Sequence, residues 1–331
     1  MTSALPLGDA HLEAELFDEL EVVEQRLTSA AANANPLVQT PARHLMQAGG
    51  KRLRPVLVML TAQFGSGIND EVRTAAVATE LTHLATLYHD DVMDDAPMRR
   101  GAPSAQHVWG NSVAILTGDL LFAKASQLVS TLGPVAVRIQ AEAFERLVLG
   151  QLHETLGPAE GENSVQHYIQ VLADKTGSLI AAAAQYGALF SGADEATTAA
   201  VIAYGEKVGV AFQLADDVID LTSDAQALGK EPGTDLRAGV ATMPVLLLRE
   251  RALPAGPDDV GRSILADLES EDEQVRASTL ERLRSHPVLE QARVLARQWA
   301  ADAVAELDPL PESAAKQALV SFADLLVDRL S

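Results

Sequence analysis

The chain has no cysteine among its 331 residues. That excludes disulfides, thiolate metal sites and a cysteine nucleophile at once, and it fits a reducing compartment. Aromatic residues make up only 4% of the chain while Ala and Leu abound, a composition that fills helix positions more readily than strand positions. Proline is missing between Pro158 and Pro232, which suits long uninterrupted helices. The first 30 residues lack the basic start and apolar core of a secretory signal. No later stretch reads as an uninterrupted membrane-spanning run. The expectation is a soluble cytoplasmic protein of the all-α class.

Basic charge is also scarce. With 25 Lys plus Arg against 46 Asp plus Glu, the net charge is −21, which repels phosphate backbones and anionic lipid surfaces at long range. Nucleic acid is not expected as a partner, nor is stable membrane insertion.

What the chain does have is apolar mass, 47% of its residues, enough for a large core. Residues Ala75, Ala78, Leu81 and Ala85, widened by Leu84 and Tyr88, recur at helical spacing, and the same pattern runs through Val113–Leu132 and Val201–Leu221. Gly177, Gly187, Gly205 and Gly209 lie within the proline-free stretch and predict close helix contacts. Segments 94–105 and 223–244 are rich in Gly, Pro and charge and predict loops. No composition break divides the chain, so one domain over 1–331 is expected, with residues 1–10 disordered and 252–290 peripheral.

The strongest signal is a recurrence. Asp90-Asp91-Val92-Met93-Asp94 and Asp216-Asp217-Val218-Ile219-Asp220 are two copies of DDxxD, 216 − 90 = 126 residues apart, each ending an apolar helical pattern. At i and i+4, Asp90 and Asp94 project from one helix face, as do Asp216 and Asp220. Like charges at that spacing cost a helix a few tenths of a kcal/mol per pair, a repulsion that bound cations relieve. Hard carboxylate oxygens suit Mg²⁺, which proteins usually hold with one or two carboxylates plus substrate phosphate. One such motif is ordinary; two near-identical copies point to a shared metal site, in which facing helices would grip a diphosphate through bridging ions. The basic clusters Lys51, Arg52 and Arg54 in GGKRLRP, and Arg99 and Arg100 in MRRG, supply direct phosphate donors, with arginine able to bind in bidentate fashion. Two differently handled diphosphates imply two substrates.

These residues resemble the trans-prenyltransferases, the all-helical isoprenyl diphosphate synthases. The likeness runs from Gly49 to Pro244 and is carried in order by GGKRLRP (49–55), LYHDDVMDDAPMRRGAPS (87–104), GDLLFAKA (118–125), DKTGSL (174–179), FQLADDVID (212–220) and GKEPGTDL (229–236). The resemblance implies a bundle of long helices around a deep cavity, homodimerisation, and condensation of isopentenyl diphosphate with an allylic diphosphate. It implies three Mg²⁺ ions ligated by Asp90, Asp94 and Asp216, with Asp91, Asp217 and Asp220 as direct or supporting partners. Arg99, Lys175 and Lys230 match positions that touch the allylic diphosphate. Lys51, Arg54, His83 and Arg100 match those that hold isopentenyl diphosphate. Gln213 and Thr176 match positions facing the reacting allyl group. His89 is expected to be a structural neighbour of the acidic cluster.

The chemistry implied is ionisation of the allylic diphosphate, attack by the isopentenyl double bond, and proton loss to the released diphosphate. Ala85 and Thr86, five and four residues before Asp90, lie roughly 6 to 7.5 Å deeper along the helix at 1.5 Å per residue. Both are small where short-chain members place aromatic rings, so the expected product is C20 or longer, with a long-chain quinone tail precursor favoured. Val240 stands where the family usually has lysine after DLRAG, which removes one expected diphosphate contact. Arg237 is a partial substitute. Alternatives in view are a terpene cyclase, which ordinarily lacks the second DDxxD, a His-Asp metal phosphohydrolase suggested by His89-Asp90, and a regulatory subunit of a heteromeric synthase.

Overall fold

A computed structural model describes residues 6–32, 35–222, 241–252, 258–268, 270 and 272–327. The all-α expectation holds: the helices are α1 (Ala10–Ala30), α2 (Pro36–Gln47), α3 (Leu53–Ala62), α4 (Asp70–Met93), α5 (Ala105–Trp109), α6 (Asn111–Thr131), α7 (Pro134–Leu156), α8 (Ser164–Leu172), α9 (Ser178–Ser191), α10 (Glu195–Thr222), α11 (Met243–Arg251), α12 (Asp259–Leu268), α13 (Glu273–Arg284), α14 (Pro287–Ala305) and α15 (Ala314–Val327). Among the described residues the strands are two residues long each, β1 (Met98–Arg99) and β2 (Ala102–Pro103), paired antiparallel. They lie inside the segment read as loop, because alternation over two residues leaves no periodic trace.

Helix starts follow the side chains that cap them. Asp9 accepts from the backbone N–H groups of His11 and Leu12, and Asn69 accepts from that of Val72 while Asp70 and Glu71 occupy the first turn of α4. Leu7 is buried just ahead of the Asp9 cap; residues 1–5 lie outside the described residues.

Two compact units form. The first comprises Met1–Leu147, Ser178–Glu206 and Val304–Phe322; the second comprises Val148–Gly177, Lys207–Ala303 and Ala323–Ser331. In the first, α4 is packed by α1, α3, α6 and α9 and buries Val72, Ala75, Ala76, Leu81, Leu84 and Tyr88. Small residues let the helices come close: a Cβ added at Gly187 of α9 would lie 2.0 Å from the Val58 carbonyl oxygen of α3. The glycine thus serves helix packing, as its position in an apolar helix predicts.

α6 corrects one sequence expectation. By length and apolarity it meets the requirement for a membrane span, because Asp119 and Lys124 are the only ionisable residues in it. Ala114, Thr117, Gly118, Leu121, Ala125 and Val129 are buried where α6 packs on α4, while Val113, Ile115 and Leu116 are exposed.

In the second unit, the C-terminal half of α10 buries Val210, Leu214, Val218 and Leu221 among Tyr168, Leu172, Met243, Leu248, Ile264, Leu283, Val288, Ala292 and Ala296. That stripe recurs at helical spacing. Gln213, Asp216 and Asp220 fall on a different, half-buried face.

Candidate active site

The same division of faces sets up the first aspartate motif. His83, Leu87 and Asp90 are half-buried and Asp94 is exposed, while Leu84, Ala85, Tyr88 and Asp91 are buried. Residues 83, 87, 90 and 94 lie within a narrow arc of a 3.6-residue helix. The core side of α4 therefore turns Asp90 and Asp94 out together.

Asp91 goes the other way. It is buried, and the Arg99 Nε donates to its Oδ1 at 2.6 Å. Arg99 is presented by the hairpin β1–β2, whose turn residues Arg100 and Gly101 have φ of 53° and 76°. Two positive φ values in a two-residue hairpin loop match the twist of the strands, and glycine takes the second place without strain. The turn also sends Arg100 back to the loop before α3, where it donates to the carbonyls of Leu45, at 3.2 Å, and of Gly49. Gly50 lies so close that a Cβ there would sit 2.9 Å from the Arg100 Cζ, and its φ of 150° suits glycine.

Arg54, His83, Arg99 and Arg100 are thus brought together in the first unit. Burial, then the charges of Arg54, Arg100, Arg99 and Arg52, hold the His83 imidazole well below its ordinary range, so it is neutral at pH 7. Burial also brings Arg54 down to about 10, with Glu80 opposing the shift and Arg100 adding to it. Arg54 Nε is buried with no hydrogen-bond partner among the described residues. Lys51 is exposed.

Arg52 differs from its neighbours. Its guanidinium is buried and fully engaged: Nη1 donates to Glu80 at 2.9 Å, Nε and Nη2 donate to Glu24, and Nη2 also reaches the Met46 carbonyl at 3.3 Å. Of the three basic residues in GGKRLRP, this one is internal structure.

Behind Asp90, Tyr88 ties α4 to α2. Its hydroxyl donates to the Pro41 carbonyl and accepts from the Leu45 N–H, and burial pushes its pKa up to about 12. His89 Nε2 lies 3.3 Å from Asp119 and 3.2 Å from the Ile115 carbonyl. A Cβ at Gly118 would be 2.5 Å from that nitrogen, so glycine makes room for the ring. Ala85 and Thr86 are buried.

The second unit repeats the inward turn of the middle aspartate. Asp217 is buried and accepts from the Tyr168 hydroxyl and from the Met243 N–H, the latter at 3.0 Å. Thr242 makes no side-chain cap for α11, so Asp217 takes over that work at the first turn. Lys175 and Thr176 lie in a π-helical turn, Ala173–Gly177, where α8 gives way to α9. Such insertions often mark functional positions. Lys175 pairs with Glu154 at 2.5 Å, and Gly150 permits the approach, since a Cβ there would meet the Lys175 backbone nitrogen at 2.6 Å. Lys230, Arg237 and Val240 lie outside the described residues.

Glu24, Glu80, Glu154 and Tyr168 carry no motif signal. Charge balance offers one clue, because four guanidiniums around one histidine need buried carboxylates nearby.

The profile of the polyprenyl synthetase family matches residues 35–281. The chain is 44% identical to a nonaprenyl diphosphate synthase of Mycobacterium tuberculosis, over 99% of this chain and 98% of that one. It is 39% identical to a dimethylallyltranstransferase of the same organism, over 98% of each. A geranylgeranyl pyrophosphate synthase from Corynebacterium glutamicum, solved with calcium and isoprenyl diphosphate, superposes with a TM-score of 0.85 at 40% identity, over 98% of both chains. With helices, motifs and whole-length similarity in agreement, the chain belongs to the polyprenyl synthetase family and is an all-trans isoprenyl diphosphate synthase.

Proposed function

We propose that the chain extends an allylic diphosphate with isopentenyl diphosphate through repeated Mg²⁺-dependent condensations, to a product of C20 or longer. The observation that carries this is the outward pair Asp90 and Asp94, one turn apart and on the same face of α4 as His83, the imidazole on which the charges of Arg54, Arg99 and Arg100 act.

The donor set fits a divalent metal of the hard kind. Among the described residues, no three carboxylate or imidazole groups gather to hold an ion by themselves. Mg²⁺ characteristically takes one or two carboxylates and completes its shell with water and substrate phosphate. The relative solved with calcium and an isoprenyl diphosphate supports a divalent ion at this kind of site. In the proposal Asp90, Asp94 and Asp216 ligate, Asp220 assists, and Asp91 and Asp217 hold neighbouring segments in place. Bound there, the metal supplies Lewis-acid stabilisation of the departing diphosphate.

The chain's own side chains do the rest. Arg99 and Lys175 contact the allylic diphosphate, and Lys230 joins them from outside the described residues. Lys51, Arg54 and Arg100 hold isopentenyl diphosphate, with neutral His83 donating a hydrogen bond rather than a charge. Gln213 and Thr176 face the reacting carbons. Ala85 and Thr86 leave room for the growing tail, and the nonaprenyl relative supports the long-chain choice. The lack of cysteine supports a reducing, cytoplasmic setting.

A homodimer is the proposed assembly. Val113 and Leu116, three residues apart on one face of α6, are exposed, Leu116 to 66%, and exposed apolar surface of this sort supports a partner there.

The test is incubation of the purified chain with isopentenyl diphosphate, farnesyl diphosphate and Mg²⁺, followed by chromatographic sizing of the dephosphorylated products. Prenyl alcohols of C20 or more, lost on chelation, are expected. Phosphate release without isopentenyl diphosphate would overturn the proposal.

A further inference from the structure

Glu80 is 2% exposed, on α4 one turn ahead of His83, and sequence motifs give it no role. A carboxylate that deep in a core needs compensation by cations and hydrogen bonds. It has Arg52, whose Nη1 donates to Glu80 Oε1 at 2.9 Å. Arg52 in turn is the hinge of the loop before α3: it has a φ of 49° and immediately precedes that helix. Left-handed backbone at a non-glycine residue persists where surrounding contacts over-determine it. Here the contacts are Glu80 on one side, and Glu24 and the Met46 carbonyl on the other.

The same short loop sets two cations proposed for isopentenyl diphosphate. The Gly49 carbonyl accepts from Arg100, Gly50 lies close enough to its guanidinium that a Cβ there would be 2.9 Å from Cζ, and Arg54 follows two residues after Arg52. Glu80 also acts on them through its field, since its charge favours the cationic forms of both Arg54 and Arg100 against the burial that disfavours them. Arg99, by contrast, is held by Asp91, and Lys175 by Glu154.

We infer that Glu80 is a positioning residue for the isopentenyl diphosphate site: by clamping Arg52 it fixes the loop that aims Arg54 and Arg100, and it leaves the allylic side untouched. The inference rests on the function proposed above and narrows it to one side of the two-substrate site.

Steady-state kinetics on the full chain with Mg²⁺, farnesyl diphosphate and isopentenyl diphosphate test it, comparing wild type, Glu80→Gln and Glu80→Asp. Loss of a charge-assisted clamp converts to about ten- to hundredfold in affinity. The KM for isopentenyl diphosphate is therefore expected to rise by that factor in Glu80→Gln. The KM for farnesyl diphosphate should stay within about twofold, and Glu80→Asp should recover part of the loss. An unchanged isopentenyl KM, or equal rises in both constants, overturns the assignment. If Glu80→Gln does not fold, the charge-balanced pair Arg52→Gln/Glu80→Gln takes its place: a raised isopentenyl KM supports the assignment, and a wild-type value overturns it. A wild-type chain that forms no condensation product refutes the proposed function itself and the assignment with it.

Discussion

The Tyr168 hydroxyl lies 3.1 and 3.0 Å from the two carboxylate oxygens of Asp217, so an aromatic side chain of α8 holds the middle residue of the second aspartate motif inside the protein. With the Met243 N–H bonded to the same carboxylate, one buried charge joins α8, α10 and α11.

Removing that hydroxyl leaves Asp217 with less compensation in an apolar setting. Hydrogen bonds to charged groups contribute about 1.5–3 kcal/mol, so Tyr168→Phe should lower unfolding stability by about that amount. Urea titration followed by circular dichroism measures it. An unchanged midpoint would mean that Tyr168 is not the tether.

In the proposed site the two doublets divide labour between their aspartates. Asp90→Asn should raise the Mg²⁺ concentration for half-maximal activity about tenfold or more, since a contact of 1.5–3 kcal/mol is lost. Asp91→Asn should leave that concentration within about twofold and lower Tm instead, because its partner is Arg99. Metal titrations of activity on both variants separate the roles, and equal shifts would show that both ligate.

His83 predicts a pH dependence with a definite sign. Its folded pKa is depressed below the ordinary value of 6.5, so as pH falls below that value the unfolded chain takes up a proton the folded chain refuses. Stability from this residue is full above about pH 7 and is lost as pH falls through the ordinary imidazole range. The slope of Tm against pH between 5.5 and 7.5 should be shallower in His83→Gln than in wild type. Parallel curves would place the imidazole outside the arginine cluster.

Ala85→Phe should shorten the product. The residue is buried, so the ring must take space from its surroundings, at about 1–3 kcal/mol of stability. Product sizing by chromatography is the readout, and an unaltered distribution would remove Ala85 from the path of the tail.

Much of this was legible in the sequence because it is periodic or repeated. The stripe from Ala75 to Tyr88 announces α4, and two DDxxD copies announce their own importance. What periodicity cannot convey is which way each member of a doublet points. Asp90 and Asp91 are adjacent and chemically identical, and only the packing of α4 sends one outward and the other to Arg99. Arg52 and Arg54 pose the same problem within GGKRLRP. The β1–β2 hairpin was hidden by brevity. Glu24 and Glu80 were hidden because an isolated glutamate within a helical pattern is ordinarily a solvated surface residue, and their role depends on contacts 28 positions away in the chain.

Arg52 shows how the protein resolves a conflict between its main chain and its side chain. Replacement by glycine would relax the torsion at φ 49° and is the choice that turn statistics would favour, yet it would strand two glutamates without their counter-ion. Engineering for thermostability should therefore leave this position alone, since a substitution that looks conformationally sound here would trade a minor torsional gain for two orphaned negative charges.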